Sequence, residues 1–123
     1  FGGTQPGTCL LAPAGFVLGR ASQAQALVHG LVHALKWLQT AAPADVLKHV
    51  PPSGLLAARS LYLAALARAR DAMSPDGLMP EDAPRTALRT LAALNPALAV
   101  HQSDLARSYT QEFARKAKQK FSA

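Results

Sequence analysis

The chain has 123 residues, of which 50% are hydrophobic, so it is long enough for one domain with a buried core and too apolar for a disordered tail. Thirteen Lys and Arg against seven Asp and Glu give a formal net charge of +6, and four of the cations lie close to the C-terminus: Arg115, Lys116, Lys118 and Lys120. The single cysteine, Cys9, excludes an intrachain disulfide and a cysteine metal cluster.

Residues 1–19 have extended character because glycine and proline interrupt them repeatedly. Within this segment, Thr8–Ala12 is predicted to be one short buried strand. The first residues lack the basic region that opens a signal peptide, and we expect the chain to be a piece of a longer protein. No apolar run reaches the roughly 18 residues that span a bilayer.

A long helix is predicted from Ser22, its N-cap, to about Thr40. The apolar residues of one face are Leu27, Leu31, Ala34, Leu35 and Leu38. The opposite face carries His29 and His33, whose i, i+4 spacing could in principle hold a metal. No third ligand lies nearby in the sequence, so we interpret both histidines as facing solvent and predict no metal and no other cofactor.

Four further helical segments are predicted after Pro43. They are a short helix over 44–50, a long helix over 54–73 capped by Ser53, a helix from Glu81-Asp82-Ala83-Pro84 to Asn95, and a last helix from Ser103-Asp104 to Phe121. The last helix has apolar side chains at strict spacings of four, which is typical of a docking face: Leu105, Tyr109, Phe113, Ala117 and Phe121. Between the middle two helices, Ser74-Pro75-Asp76-Gly77 has the signature of a type I turn.

The sequence therefore predicts a mainly α chain of four to five helices and one short N-terminal strand. Residues 1–123 form a single unit, in which 1–19 is the strand segment and 20–123 the helical part. No nucleophile elbow occurs, and the serines and carboxylates occupy caps and turns. We predict no catalytic residue and no enzymatic activity.

Three stretches, in order, resemble the C-terminal part of substrate-binding proteins of ABC importers in the nitrate/taurine/sulfonate class, which have the periplasmic binding protein type 2 fold. The first is Phe1-Gly2-Gly3-Thr4-Gln5-Pro6 with Leu10, and the second is the helix that ends in Ala34-Leu35-Lys36-Trp37-Leu38-Gln39. The third and most specific combines Ser74-Pro75-Asp76-Gly77-Leu78-Met79-Pro80 with Asp104-Leu105 and Tyr109-Thr110-Gln111-Glu112-Phe113.

The resemblance implies that the chain is the last third or so of a two-lobed α/β protein, in which a small solute lies between the lobes. It implies hinge closure around that solute, docking on a membrane permease, and a periplasmic or other extracytoplasmic location. Residues 1–19 correspond to the segment that returns through the hinge. By the same resemblance, Gly3, Thr4 and Gln5 are the candidate ligand-binding residues, although an aromatic residue is common at the position of Gln5.

We therefore expect a solute-binding component for nitrate, taurine, a sulfonate or a thiamine-pyrimidine precursor, present here without most of its cleft and unable to bind ligand alone. Apolar stripes over 55–73 and 105–121 lack their expected cover, which predicts self-association. The alternative is a self-contained basic helical module that binds a protein, a membrane surface or nucleic acid through its last helix. The basic residues near the C-terminus are better interpreted as solvated, and we expect no nucleic-acid partner.

Overall fold

Six α-helices make up most of the chain, which confirms the mainly α prediction. The computed structural model describes residues 2–55 and 58–122, the side chains of 100–103 excepted. The helices are α1 (Ala14–Gly19), α2 (Ala21–Thr40), α3 (Pro43–His49), α4 (Arg59–Ala72), α5 (Ala83–Leu94) and α6 (Glu112–Phe121). Two 3-10 segments, Pro52–Gly54 and Pro96–Arg107, lie before α4 and after α5.

Helices α2 and α6 form the centre of the fold and pack side by side. Val32 of α2 and Ala117 of α6 are both fully buried. The amide of Gln25 donates to the backbone carbonyl of Phe113 at 2.9 Å. Because Ala117 has a small side chain, the two helix backbones can approach closely at this point.

The turn between α4 and α5 lies against this helix pair. Gly77 has a φ of +74°, which a residue without a side chain adopts most readily. The Gly77 N–H donates to Ser74 Oγ at 2.9 Å and the Leu78 N–H donates to Asp76 Oδ1 at 3.0 Å. Side-chain oxygens therefore hold the predicted turn from within, in the manner of Asx and Ser turns.

Two residues of the α6 region hold the turn from outside. The side chain of Gln111 makes a two-way contact with the backbone of Met79: its oxygen accepts from the Met79 N–H at 2.8 Å, and its nitrogen donates to the Met79 carbonyl at 3.0 Å. Lys118 Nζ lies 2.8 Å from Asp76 Oδ2. The stretch Ser74–Pro80 is thus the junction through which α4 and α5 are attached to the α2–α6 pair.

The predicted strand over Thr8–Ala12 is wrong: none of the described residues is in a strand. A strand needs a neighbour to complete its backbone hydrogen bonds, and residues 8–12 are all exposed without one. The unpredicted helix α1 follows at once, because Pro13 precedes its first turn and accepts hydrogen bonds from the Phe16 and Val17 N–H groups.

Two helix boundaries also differ from the predictions. Helix α4 begins at Arg59, five residues late, because Pro52–Gly54 forms a 3-10 turn closed by the Gly54 N–H on the Pro51 carbonyl. Ser53 is therefore not its cap, and Leu56 of the predicted stripe lies outside the described residues. The predicted last helix is divided into the 3-10 segment and α6. The Gln111 side chain is hydrogen-bonded to the Met79 backbone, and Gln111 precedes the first turn of α6.

The buried core of the described chain is small. Its buried apolar residues are Val32, Val46, Leu66, Ala83 and Ala117. The accessible surface is 8870 Å², whereas a compact monomer of this mass exposes about 6,300 Å². About 2,600 Å² of surface is therefore in excess of what a compact monomer of this mass exposes. No helix in the described ranges is long and apolar enough to cross a membrane.

Candidate functional site

The three candidate ligand-binding residues lie together along α5, between its N-terminal end and Thr90. The Thr4 N–H donates to Asp82 Oδ2 at 3.1 Å, and the Gln5 amide donates to Thr90 Oγ1 at 2.9 Å. Gly3 has a φ of +114°, and a Cβ added there would lie 2.8 Å from Thr86 Oγ1. Only glycine therefore allows this segment to lie so close to α5.

A polar stripe on α5 receives this segment. Asp82, Thr86 and Thr90 recur at spacings of four, so they lie on one side of the helix. Thr86 is buried although it is polar. Its hydroxyl lies 3.3 Å from Arg89 Nη2, which donates to it, and its carbonyl accepts from the Thr90 hydroxyl at 3.0 Å.

A shallow recess of about 240 Å³ opens beside the stripe. Its walls are Gly2, Thr86, Arg89, Thr90 and Ala93. Small-molecule sites usually measure about 300–1,000 Å³ and enclose most of their ligand. This recess is smaller than such a site, and the Arg89 guanidinium on its wall can donate to a small polar solute with an acceptor group.

The sequence-based reasoning missed the α5 half of this site. Glu81 and Asp82 were interpreted as residues of a helix start, whereas the Asp82 side chain accepts from Thr4 of a distant segment. The signal that could have found it is the spacing of four that places Asp82, Thr86 and Thr90 on one side of the helix. Leu91 and Leu94 of the same helix are exposed.

The histidine pair of α2 contacts α6. His33 is stacked on the Phe121 ring at 4.7 Å between centroids, and His29 meets the same ring edge-on at 5.8 Å. His33 is exposed, as predicted, but His29 is half-buried. No group of three potential metal ligands occurs among the side chains that the structure describes.

The basic residues near the C-terminus make contacts within the chain. Lys116 pairs with Glu112 at 2.7 Å, Lys118 pairs with Asp76 at 2.8 Å, and Lys120 Nζ lies 5.6 Å from the centre of the Phe121 ring. On α2, Lys36 donates to the backbone carbonyls of Phe121 and Ser122. These contacts neutralise part of the positive charge that would attract a polyanion.

Comparison with known proteins relates the chain to part of a larger molecule. No family model matches it, and no curated protein sequence matches it. A solved structure of a protein from Bordetella bronchiseptica RB50 is similar, with 38% sequence identity and a TM-score of 0.84. The match covers 91% of this chain and 35% of the Bordetella protein. The chain thus spans about a third of the length of that relative, and most of its arrangement of helices occurs there within a longer polypeptide.

Proposed function

We propose that this chain is the C-terminal part of the solute-binding component of an ABC importer in the nitrate/taurine/sulfonate class. Its role is to bind a small molecule, not to transform it. The support comes from three ordered sequence stretches that resemble that class, and from the similarity to about a third of a longer protein. By the same resemblance, the location is periplasmic and the macromolecular partner is a membrane permease.

The contact between Gly3–Gln5 and α5 carries this proposal. These residues, which the resemblance assigns to the cleft, lie beside an open recess with one cationic and two hydroxyl side chains. An incomplete recess is what one lobe of a two-lobed binding protein presents before the other lobe closes on the solute.

The first test is a chimera in which this chain replaces the matching third of the Bordetella protein. We expect nitrate, taurine, an alkyl sulfonate or a thiamine-pyrimidine precursor to raise the melting temperature of the chimera. Arg89→Ala should weaken that binding about tenfold or more, because a charge-assisted hydrogen bond contributes about 1.5–3 kcal/mol. Arg68→Ala on the exposed part of α4 is the matched control and should leave binding unchanged.

The second test uses the chain alone. Titration calorimetry with the same four solutes should show no measurable heat of specific binding, since one wall of a site buries too little of a small ligand. A chimera that folds but responds to none of the solutes, or that responds equally with Arg89→Ala, would contradict the proposed function. Specific binding to the isolated chain would contradict the incomplete cleft.

A further inference from the structure

Residues 9–12 form a short apolar segment that the rest of the described chain leaves uncovered. They read Cys-Leu-Leu-Ala and lie outside every helix. All of them are exposed, with 60% of Leu10 and 92% of Leu11 accessible to solvent. No backbone hydrogen bond joins residues 9–12 to any other described residue. The N–H and carbonyl groups of an apolar segment therefore lack backbone partners within the described chain.

The pattern of this segment is that of a strand covered on both faces. Successive side chains of a strand point to opposite faces, so as a strand the segment would place Leu10 and Leu11 on opposite sides of a sheet. A strand that is apolar on both faces is typical of a sheet that is buried on both sides. Its backbone groups then need other strands as neighbours, because a buried N–H or carbonyl without a partner costs free energy. The segment therefore requires a partner that presents a strand edge.

The leucine face of α2 is a second uncovered surface. It consists of Ala24, Leu27, Leu31, Ala34 and Leu38. These residues recur at spacings of three and four, so they share one side of the helix. Leu27 is 61% exposed and Leu31 is 41% exposed. The face is also uncharged, because the only Lys, Arg, Asp or Glu of α2 is Lys36, which donates to carbonyls at the end of α6.

Helix α1 joins the segment to the leucine face over a short distance. It spans Ala14–Gly19, and six helical residues extend about 9 Å. Helix α1 also contacts α2 directly. One partner can therefore bind the segment and the leucine face together.

Three kinds of partner differ in what they supply to these two surfaces. A second copy of this chain supplies no strand from its described residues, and two paired segments would form an isolated ribbon, which is marginally stable at best. A lipid surface is apolar but supplies no hydrogen-bond partners for backbone groups. A longer polypeptide can supply both, and about two thirds of the Bordetella protein lies outside the part that this chain matches.

We propose that residues 9–12 and the leucine face of α2 bind the remainder of such a longer polypeptide. The segment adds to a sheet of that partner as a strand, and the leucine face covers the same sheet. The segment has no strand neighbour in the described chain, so it pairs only in that assembly. The inference rests on the part of the proposed function that places this chain within a longer protein, and it does not depend on which solute is bound.

Amide hydrogen exchange tests the segment in two proteins, the isolated chain and the chimera in which this chain replaces the matching third of the Bordetella protein. In the isolated chain, the amides of residues 9–12 should exchange about as fast as those of an unfolded peptide, because they have no backbone partners there. In the chimera the same amides should exchange at least about 100-fold more slowly. Amides within α2 should be protected in both proteins and serve as the internal reference.

Substitutions test the leucine face in the same two proteins. Leu27→Glu/Leu31→Glu should lower the melting temperature of the chimera by at least about 5 °C, since it places two carboxylates against apolar surface. In the isolated chain it should change the melting temperature by less than about 3 °C, because both side chains are already exposed. The matched control, Ser22→Glu/Gln39→Glu, adds the same two charges at exposed polar positions of α2 and should have little effect in either protein.

Equal exchange rates of the 9–12 amides in the chimera and the isolated chain overturn the inference, as does a chimera that does not fold. So does a leucine-face variant that lowers both melting temperatures equally, or no more than the control does. Complete loss of folding in the variant chimera, with the control chimera still folded, supports the inference. A folded chimera that protects these amides but binds none of the four solutes supports it too, and contradicts the proposed function. A chimera that binds a solute and leaves these amides unprotected does the reverse.

Discussion

Gly77 occupies the most restricted backbone position in the turn between α4 and α5. Its φ is +74°, and a Cβ added there would lie 2.8 Å from Val32 Cγ2. Val32 is fully buried, so it has no free space into which to move. Two independent penalties therefore apply to any side chain at this position, one from the backbone and one from packing.

Gly77→Ala should lower the free energy of unfolding by about 2–5 kcal/mol. The left-handed backbone costs an L-residue about 1–2 kcal/mol, and overpacking of a core typically costs about 1–3 kcal/mol. Urea unfolding monitored by circular dichroism measures the change. Gly15→Ala is the control: no atom lies within 4 Å of its added Cβ, so it should be neutral or stabilise by up to about 1 kcal/mol.

The Asp76 carboxylate connects the turn to α6. Burial by itself would raise the pKa of Asp76, but the Lys118 ammonium, the Leu78 N–H and the Ser74 hydroxyl together hold the pKa below its ordinary value of 3.8. The side chain is 18% exposed, so solvent screens this pair less than a surface pair. Asp45, paired with Lys48 at 2.8 Å, is 53% exposed and provides the comparison.

Asp76→Asn should destabilise the fold by about 1 kcal/mol near neutral pH, because it removes the charge that attracts Lys118. A lowered pKa in the folded state means that this stabilisation is complete above pH 3.8 and is lost as pH falls through the folded-state value. The difference in unfolding free energy between wild type and variant should therefore shrink progressively as the pH falls below 3.8. Asp45→Asn should change stability less than Asp76→Asn does, because solvent screens the exposed Asp45–Lys48 pair. Equal destabilisation by Asp76→Asn and Asp45→Asn would contradict the conclusion that partial burial strengthens the Asp76–Lys118 pair.

At this scale the turn itself could be predicted from Ser74-Pro75-Asp76-Gly77, because its chemistry is local. The residues that the turn contacts in other elements could not be predicted in this way. Val32 and Gln111 are 45 and 34 positions from Gly77 in the sequence, and no periodicity links such distant residues. The positive φ of Gly77 is local, but the reason that no side chain fits there comes from α2.

At the scale of elements, Gln111 attaches α6 to the turn. Its amide oxygen accepts from the Met79 N–H at 2.8 Å and its nitrogen donates to the Met79 carbonyl at 3.0 Å. Only an amide can both accept and donate in this way; a carboxylate has no N–H. This contact supplies a structural reason for an amide at position 111, which the sequence resemblance did not specify.

Gln111→Glu should cost about 1–3 kcal/mol, since a carboxylate oxygen would face the Met79 carbonyl with no proton between them. Relative to the wild type, the variant should show a larger increase in amide hydrogen exchange in α6 than in α5. Gln119→Glu makes the same change at an exposed position of α6 and should have little effect on either measurement. Equal destabilisation by the two substitutions would mean that added negative charge on α6, rather than the Met79 contact, is responsible.

The helix bounds were easier to predict than the faces that the helices bury. Periodicity predicted 22–40, and α2 spans Ala21–Thr40. The same periodicity placed Leu27 and Leu31 on one apolar face, but the buried side chain of α2 is Val32, on the side toward Gly77 and α6. An apolar stripe indicates that a helix side needs cover. It does not indicate whether that cover belongs to the same chain.

For the whole molecule, the same reasoning explains why mainly α character was predicted correctly and the strand was not. Helices satisfy their backbone hydrogen bonds internally, so they form in the described chain even where their apolar sides are bare. A strand at 8–12 depends on other strands, and the described residues supply none. The two halves of the candidate site differ in the same way. Gly3–Gln5 were identified by a sequence resemblance, whereas Thr86 and Arg89 could be identified only from the fold.

The exposed surface has a measurable thermodynamic consequence. An unfolded chain of this mass exposes about 18,700 Å², so folding to 8870 Å² buries only about half of that surface, whereas a compact domain of this length buries about two thirds. The denaturant m-value is proportional to the surface exposed on unfolding. The chain should therefore have a urea m-value about a fifth lower than compact domains of equal length. An m-value equal to theirs would show that the chain in solution buries the surface that is exposed here.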